Sequence, residues 1–243
     1  MANVTRGQPN WWDERWADAC QLRSGAELLV AHQERAAVAG IEGVPYRLQR
    51  LSFPGLAVID DCVFGLAEPG VEELVVSPSE RTALAFLKST DGACGYELFS
   101  IEKGIRRLGI GQPFTLQAML SPPAFSRDER LVVSVTSGER RVWWADEDDE
   151  DDWRARSPGG VVTFGFLVVH ELDKNRISKH RLEFELPEGW FPDDGEDDRW
   201  SAPEGVDFVA DDRIEIGLPD GSDVELALPL PEAIRLPTPD SGG

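Results

Sequence analysis

Residues 75–86 read VVSPSERTALAF, and the same pattern recurs along the chain. Residues 29–40 read LVAHQERAAVAG, residues 124–135 read AFSRDERLVVSV, and residues 207–218 read DFVADDRIEIGL in a weaker copy. Each copy has an apolar pair, a short polar segment, an acid followed by arginine, and a second β-prone run. The acid–arginine pairs are Glu34-Arg35, Glu80-Arg81, Glu129-Arg130 and Asp212-Arg213. This pattern predicts a repeated unit of strand, tight polar turn and strand.

The spacing of the copies points to the kind of repeat. Their first residues, 29, 75, 124 and 207, lie 46, 49 and 83 residues apart. The first two spacings match one four-stranded propeller blade, which has about 40–50 residues. Apolar and polar residues also alternate in HRLEFEL at residues 180–186 and in DVELALPL at residues 223–230. Such alternation is typical of strands with one buried face, so the sequence predicts an all-β fold.

One repeat resembles a known family. FSRDERLVVS at residues 125–134 resembles the FSPDGRxLAS opening of a WD-repeat or TolB-like β-propeller blade, and residues 75–86 resemble it too. The resemblance implies a degenerate, propeller-like repeat of antiparallel β units with few blades; a β-sandwich of repeated hairpins is the alternative. The glycine of that family's turn is replaced by Glu34, Glu80, Glu129 and Asp212. Because only glycine adopts a left-handed conformation without strain, we expect a different type of turn here.

A helix is predicted at the N-terminus. It covers residues 11–22, with Asn10 as its cap and Ser24-Gly25 as its stop signal. Three side chains then share one face at a spacing of four residues: Trp12, Trp16 and Cys20. We expect this face to pack onto the β domain; a partner-binding helix is the alternative.

The predicted organisation has three parts. Residues 1–25 form an N-terminal helical segment, residues 26–236 form the β-repeat domain, and residues 237–243 form a flexible tail. Acidic insertions interrupt the β domain at residues 146–160 and 192–204. No stretch approaches the roughly 20 apolar residues of a membrane span, and the N-terminus lacks the pattern of a secretory signal. The three cysteines are scattered without CxxC spacing, so we expect reduced thiols in a cytoplasmic protein.

The chain is strongly acidic, with a formal net charge of −21 at pH 7. Such a surface repels nucleic acids and anionic membranes, so neither is expected as a partner, whereas a basic protein is. Residues 146–152 read DEDDEDD and residues 193–198 read DDGEDD, and together they supply 12 of the negative charges. These runs have three interpretations: solvated loops, a docking surface for a basic partner, or a divalent-cation site. Neither run matches an EF-hand loop, so no metal ligand set is specified.

Motifs of catalysis and cofactor binding are absent from the sequence. It contains no GxSxG elbow, no phosphate-binding loop and no HExxH, and we expect no cofactor. His32, His170 and His180 lie in separate segments and are interpreted as structural or surface residues. His170 and Glu171 are adjacent on a predicted strand and point to opposite faces, so they are not a dyad.

These observations predict a non-enzymatic protein–protein interaction module. One version is an acidic inhibitor or immunity-type protein that neutralises a basic partner. The alternatives are a hydrolase-type enzyme with its site at the centre of the β-repeat fold, and a small-molecule or calcium-binding sensor. The oligomeric state is not predicted. The predicted partner-binding residues are the two acidic runs and the tryptophan near the end of each: Asp146, Glu147, Asp148, Asp149, Glu150, Asp151, Asp152, Trp153, Asp193, Asp194, Glu196, Asp197, Asp198 and Trp200.

Overall fold

The computed structural model describes most of the repeat region of the chain. The described residues are 17–34, 37–66, 70–88, 94–115, 122–137, 161–185, 205–218 and 221–237. Within these ranges the chain forms β-strands joined by turns and contains no helix. Consequently, no helix in these ranges offers the long apolar run needed to cross a bilayer. The all-β prediction is therefore confirmed for this part of the chain.

The described strands are numbered in chain order. The first eight are β1 (Ala17–Gln21), β2 (Glu27–Gln33), β3 (Val44–Ser52), β4 (Val58–Leu66), β5 (Val71–Val76), β6 (Thr82–Lys88), β7 (Cys94–Ser100) and β8 (Arg106–Thr115). The next eight are β9 (Ala124–Phe125), β10 (Leu131–Ser137), β11 (Val161–Glu171), β12 (Arg176–Glu185), β13 (Gly205–Ala210), β14 (Arg213–Gly217), β15 (Asp223–Ala227) and β16 (Ala233–Arg235).

These strands form four sheets. The strand orders are β1-β2-β3-β4, β5-β6-β7-β8, β16-β12-β11-β10-β9 and β13-β14-β15. Sequential neighbours pair antiparallel, for example Tyr46 with Phe64 in β3 and β4, whereas β16 runs parallel to β12. Each sheet is therefore built mainly from consecutive strands, as the repeat of β units predicts.

The predicted N-terminal helix is wrong where the structure describes it. Ala17–Gln21 forms strand β1, which pairs antiparallel with β2 from Ala17 opposite His32 to Gln21 opposite Leu28. The helical spacing of the tryptophans and Cys20 suggested one buried face, but pairing with a neighbouring strand overrides such local preferences. Residues 11–16 lie outside the described ranges.

The chain divides into two compact units. The first contains residues 1–76, 80–91 and 95–114, and the second contains residues 77–79, 92–94 and 115–243. The core of the first unit includes three buried aromatic rings, with centroids 5.9 Å apart for Tyr46 and Phe64 and 4.9 Å apart for Phe64 and Phe99. The Tyr46 hydroxyl accepts a hydrogen bond from the backbone N–H of Gly70 at 2.8 Å, so this buried polar group has a partner.

The core of the second unit follows the alternation seen in the sequence. Leu182 and Phe184 on β12 and Ile214 and Ile216 on β14 are completely buried. They pack in one apolar cluster with residues of β10, β11 and β16. One face of β12 is therefore continuous with this core, and that face also carries the site described below.

The repeated turn has the left-handed residue that the family resemblance implies. Glu80 and Glu129 both have a φ of 59°, so the expectation of a different turn type is wrong at these two positions. The first copy of this turn is at residues 22–25, where Gly25 has a φ of 68°. Gly25 N–H donates to Leu22 O at 2.9 Å just as Glu129 N–H donates to Ser126 O at 3.0 Å. The alignment that began the first copy at residue 29 is therefore corrected.

At these strained positions the glutamate carboxylates make compensating bonds. In the first unit, the Glu80 carboxylate accepts a hydrogen bond from the backbone N–H of Arg23. In the second unit, the Glu129 carboxylate accepts from the backbone N–H of Ser79 and, at 2.7 Å, from the Ser79 hydroxyl. A left-handed residue costs about 1–2 kcal/mol. A hydrogen bond to a charged group contributes about 1.5–3 kcal/mol, so the bonds offset the strain.

Substitutions at Glu129 separate the strain from the bonds. We expect Glu129→Ala to lower the free energy of unfolding by about 1–2 kcal/mol, because the bonds are lost and the strain remains. Glu129→Gly also loses the bonds but relieves the strain, so it should be roughly 1 kcal/mol more stable than Glu129→Ala. Urea unfolding of the two variants beside the parent chain measures this difference. An alanine variant at least as stable as the glycine variant would contradict the compensation.

Candidate functional site

The most reactive arrangement in the described residues lies on β12. Alternate residues of this strand face the core of the second unit, and the same face continues from Phe184 and Leu182 to the half-buried His180 and Ser178. In the register of the sheet, Ser178 lies opposite Val169 and His180 lies opposite Leu167 on β11. Ser178 and His180 are two residues apart on one strand, so the backbone itself holds their side chains on the same face.

Hydrogen bonds fix the protonation pattern of this pair. The Nδ1 atom of His180 lies 2.7 Å from the carbonyl oxygen of Pro231. Because a carbonyl oxygen only accepts, Nδ1 carries the ring proton of the neutral imidazole. The Nε2 atom is then an acceptor, and it lies 3.1 Å from the Ser178 hydroxyl oxygen. A second contact of that oxygen, with the carbonyl oxygen of Val169, is longer at 3.5 Å.

This arrangement has the three parts of an activated serine. Ser178 supplies a hydroxyl, His180 supplies a base within hydrogen-bond reach, and the Pro231 carbonyl orients the base. In hydrolases with a serine nucleophile, the orienting acceptor is commonly a carboxylate; here it is a backbone carbonyl. The geometry therefore supports proton transfer from Ser178 to His180 during attack on a carbonyl carbon.

Sequence reasoning missed this pair because it treated the histidines individually. Ser178 and His180 continue the same two-residue alternation as Leu182 and Phe184. Their shared face was therefore readable from the sequence. The third part was not readable, because Pro231 lies 51 residues beyond His180 in the chain.

The other two histidines have structural contacts. His170 is completely buried, and its Nε2 lies 3.1 Å from the side-chain oxygen of Asn175. The Nε2 of His32 lies 3.1 Å from the side-chain oxygen of Gln49. Glu171, the neighbour of His170, instead pairs with Lys174 at 2.5 Å and with Arg176. His170 and Glu171 thus have different partners, in agreement with the expected alternation along the strand.

Burial of His170 predicts a loss of stability in mild acid. Burial lowers the pKa of His170 below its ordinary value, although the Asn175 hydrogen bond opposes the shift. Protonation therefore favours the unfolded chain, and the stability contributed by neutral His170 is lost as the pH falls below its unfolded pKa of about 6.5. We expect the Tm to fall between pH 7.5 and pH 5.

A variant separates this effect from the titration of the carboxylates. Lys174 and Arg176 hold the pKa of Glu171 below its ordinary value. The stability that ionised Glu171 contributes is therefore lost only at a pH below this range. The variant His170→Gln should have a lower Tm at pH 7.5 and a smaller further fall at pH 5. An equal fall in the variant and the parent chain would show that another group governs this pH range.

A cluster of ion pairs in the first unit joins three strands. Arg50 on β3 donates to Asp60 on β4 at 2.6 Å and to the carbonyl oxygen of Ile101 at 3.1 Å. Glu27 on β2 lies 3.7 Å from the same guanidinium. These contacts link charged side chains on neighbouring strands of the sheet. No nucleophilic side chain is among the contacts, so we interpret the cluster as structural. It does not provide the chemistry that the serine–histidine pair provides.

The thiols of two cysteines, Cys20 and Cys62, are described, and both are free. Cys20 and Cys62 are half-buried. Burial, with smaller contributions from Asp18 and Glu80, raises the pKa of the Cys20 thiol to about 12. A thiol with such a pKa stays protonated at neutral pH and is a poor nucleophile. Cys20 is therefore not a competing candidate for the nucleophile.

The predicted partner-binding surface is not described by the structure. The acidic runs at residues 146–152 and 193–198, with Trp153 and Trp200, lie outside the described ranges. The described residues contain no group of three histidine, cysteine or acidic side chains that could hold a metal ion. None of the site residues predicted from the sequence belongs to the serine–histidine pair.

Comparisons with known proteins identify no family. No family model matches the chain, and no curated protein matches it significantly. Among solved structures, an oligogalacturonate lyase from Vibrio parahaemolyticus is 11% identical, with a TM-score of 0.42 over 82% of this chain and 44% of that one. A Bacteroides fragilis protein assigned as a 6-phosphogluconolactonase is 10% identical, with a TM-score of 0.41 over 90% and 56%. An acylaminoacyl peptidase from Pyrococcus horikoshii is 12% identical, with a TM-score of 0.39 over 88% and 32%.

These comparisons correct one functional prediction. The chain spans about half or less of the length of the three solved structures, and all three bear the names of enzymes. The predicted non-enzymatic interaction module, including its version as an acidic inhibitor, is therefore contradicted. The reactions in those names belong to those proteins and are not transferred to this chain.

Proposed function

We propose that this protein is a hydrolase of carboxylic esters that uses Ser178 as its nucleophile and His180 as its general base. One observation carries the proposal: Ser178 Oγ lies 3.1 Å from His180 Nε2, while His180 Nδ1 lies 2.7 Å from the Pro231 carbonyl oxygen. The proposal follows the enzyme alternative of the sequence analysis. It places the chemistry on β12.

In the proposed reaction, Ser178 Oγ attacks the carbonyl carbon of the ester while its proton passes to Nε2 of His180. The resulting imidazolium donates from Nδ1 to Pro231 and returns the Nε2 proton to the leaving alcohol oxygen. His180 then takes a proton from water, whose oxygen attacks the acyl carbon on Ser178. The free acid leaves and the serine hydroxyl is restored, so one ester and one water give one acid and one alcohol.

The orienting group limits the expected rate. A neutral carbonyl stabilises the imidazolium less than a carboxylate does, because it carries only a partial negative charge. We therefore expect slow turnover of activated esters rather than cleavage of amides, whose leaving groups are poorer.

The fold of the repeat is part of the proposal. We infer that the four sheets are blades of a degenerate repeat of the WD or TolB-like type. The support is their consecutive strand order and the left-handed turn shared by Gly25, Glu80 and Glu129. A crystal structure of the whole chain tests this inference, and a β-sandwich of paired hairpins is the outcome that would contradict it.

The test of the reaction is covalent capture of the nucleophile. The full chain is incubated with a fluorophosphonate, which labels activated serines, and peptide mass spectrometry locates the label. We expect labelling of Ser178 and hydrolysis of p-nitrophenyl acetate, both lost in Ser178→Ala. Ser24→Ala is the matched control, because the Ser24 hydroxyl contacts the backbone N–H of Ala26 and no histidine. Absence of labelling, or equal hydrolysis by Ser178→Ala, would refute the proposed function.

A further inference from the structure

The orientation of His180 depends on a short strand at the edge of its sheet. Pro231, whose carbonyl accepts from His180, lies two residues before β16. β16 contains only three residues, Ala233–Arg235, which pair with Arg181, Leu182 and Glu183 of β12. Backbone bonds at its two ends join Arg181 N–H to Glu232 O at 2.9 Å and Leu236 N–H to Glu183 O at 2.8 Å. These few backbone bonds are supplemented by the side chains of Ile234 and Leu236, which are buried in the core of the second unit.

A buried carboxylate reinforces this attachment. Glu183 on β12 is only 7% exposed, which is unusual for a charged residue. Its two carboxylate oxygens pair with Arg235 of β16 at 3.1 Å and with Arg181 of β12 at 3.4 Å. Glu183 and Arg235 are also directly opposite each other in the register of the two strands. This ion pair is therefore one side-chain link between β16 and the strand that carries the dyad, beside the contact of Arg181 with Glu232 at 3.8 Å and the buried side chain of Ile234.

We infer that Glu183 is a positioning residue for His180, an inference that rests on the proposed function for its catalytic consequence. Glu183 binds Arg235 and keeps β16 against β12, and this holds the Pro231 carbonyl at Nδ1 of His180. Without that acceptor, the ring proton redistributes between Nδ1 and Nε2. The fraction with the proton on Nε2 cannot accept the Ser178 proton, so it is inactive.

The tautomer of His180 is the readout that tests this role directly. The full chain is labelled with ¹⁵N-histidine, and long-range ¹H–¹⁵N spectra are recorded at a pH where the imidazoles are neutral. The variant His180→Gln identifies the His180 signals by their loss. We expect the parent chain to show the proton on Nδ1 and Glu183→Gln to show a mixture of the two tautomers. In the same variant, kcat should fall roughly tenfold with little change in KM.

Two further variants control for stability and for charge. Glu225→Gln breaks an ion pair of the same unit, Arg213–Glu225 at 2.7 Å, that does not involve β16, and should leave the tautomer unchanged. Arg235→Lys keeps a cation opposite Glu183 and should preserve most of the Nδ1 form, which gives a second readout if Glu183→Gln does not fold. A parent-like tautomer in Glu183→Gln would overturn the inference. If the parent chain hydrolyses no ester, the proposed function fails, while the tautomer spectra still decide whether Glu183 positions His180.

Discussion

Replacing His180 with glutamine is expected to lower kcat/KM for p-nitrophenyl acetate by roughly 10²- to 10⁴-fold. Glutamine has a similar length and its side-chain oxygen can accept from the Ser178 hydroxyl. It has no basic nitrogen, however, so the serine proton has no acceptor during the attack. The measurement is steady-state hydrolysis at several ester concentrations, with the thermal unfolding of both proteins recorded beside it.

The control for this prediction is a second histidine with a similar hydrogen bond but no serine partner. His32 also bonds a neighbouring side chain through Nε2, at 3.1 Å from Gln49, but no serine hydroxyl is among its contacts. His32→Gln should therefore retain the hydrolytic activity of the parent chain. A similar loss in both variants would indicate a structural effect of histidine replacement. Full activity in His180→Gln would show that Ser178 does not depend on this base.

The substitution Gly65→Ala is expected to destabilise the first unit by about 3 kcal/mol, at the upper end of the range for overpacked sites. A Cβ atom at Gly65 on β4 would lie 1.9 Å from the carbonyl oxygen of Glu42 and 2.9 Å from Cγ2 of Ile41. The nearest atom belongs to the backbone, so a rotamer change cannot relieve the clash. For a chain of this size we expect the Tm to fall by roughly 6–12 °C.

Another strand glycine provides the comparison for Gly65. Gly205 on β13 would carry a Cβ with no atom within 4 Å, so Gly205→Ala should change the Tm little. Both variants lose the same backbone freedom in the unfolded chain, and the difference between them isolates the clash. Equal Tm values for the two variants would mean that the loop at Ile41 and Glu42 moves aside without cost.

The parts of the fold that depend on local patterns were predictable from the sequence. The alternation in HRLEFEL correctly predicted the buried face of β12. The repeated pattern at residues 75–86 and 124–135 correctly predicted the strand–turn–strand units formed by β5 and β6 and by β9 and β10. The segment from residue 17 to residue 21 was not predictable in this way. Its helical spacing is a local signal, whereas its pairing with β2 is a tertiary interaction that no window of the sequence contains.

The first repeat was misaligned for a related reason. The pair Glu34-Arg35 imitates the acid–arginine pattern of the other copies, while the actual turn at residues 22–25 contains glycine and looked like the end of a helix.

Prediction of the site from the sequence has the same limit. The sequence displays Ser178 and His180 two residues apart, but the Pro231 carbonyl that bonds Nδ1 of His180 comes from a distant segment.

The glutamates in the repeated turns have a consequence for how such a chain can change during evolution. The Glu80 carboxylate accepts a hydrogen bond from the backbone N–H of Arg23 in the first turn. The Glu129 carboxylate accepts one from the backbone N–H of Ser79 in the second turn. In the second turn the donor is one position later, at Ser79, because Pro78 has no N–H to give. The second turn thus supplies an amide to its successor and a carboxylate to its predecessor. An extra copy of the second turn beside the original would find the same donors and acceptors, so it would not leave its strained glutamate uncompensated.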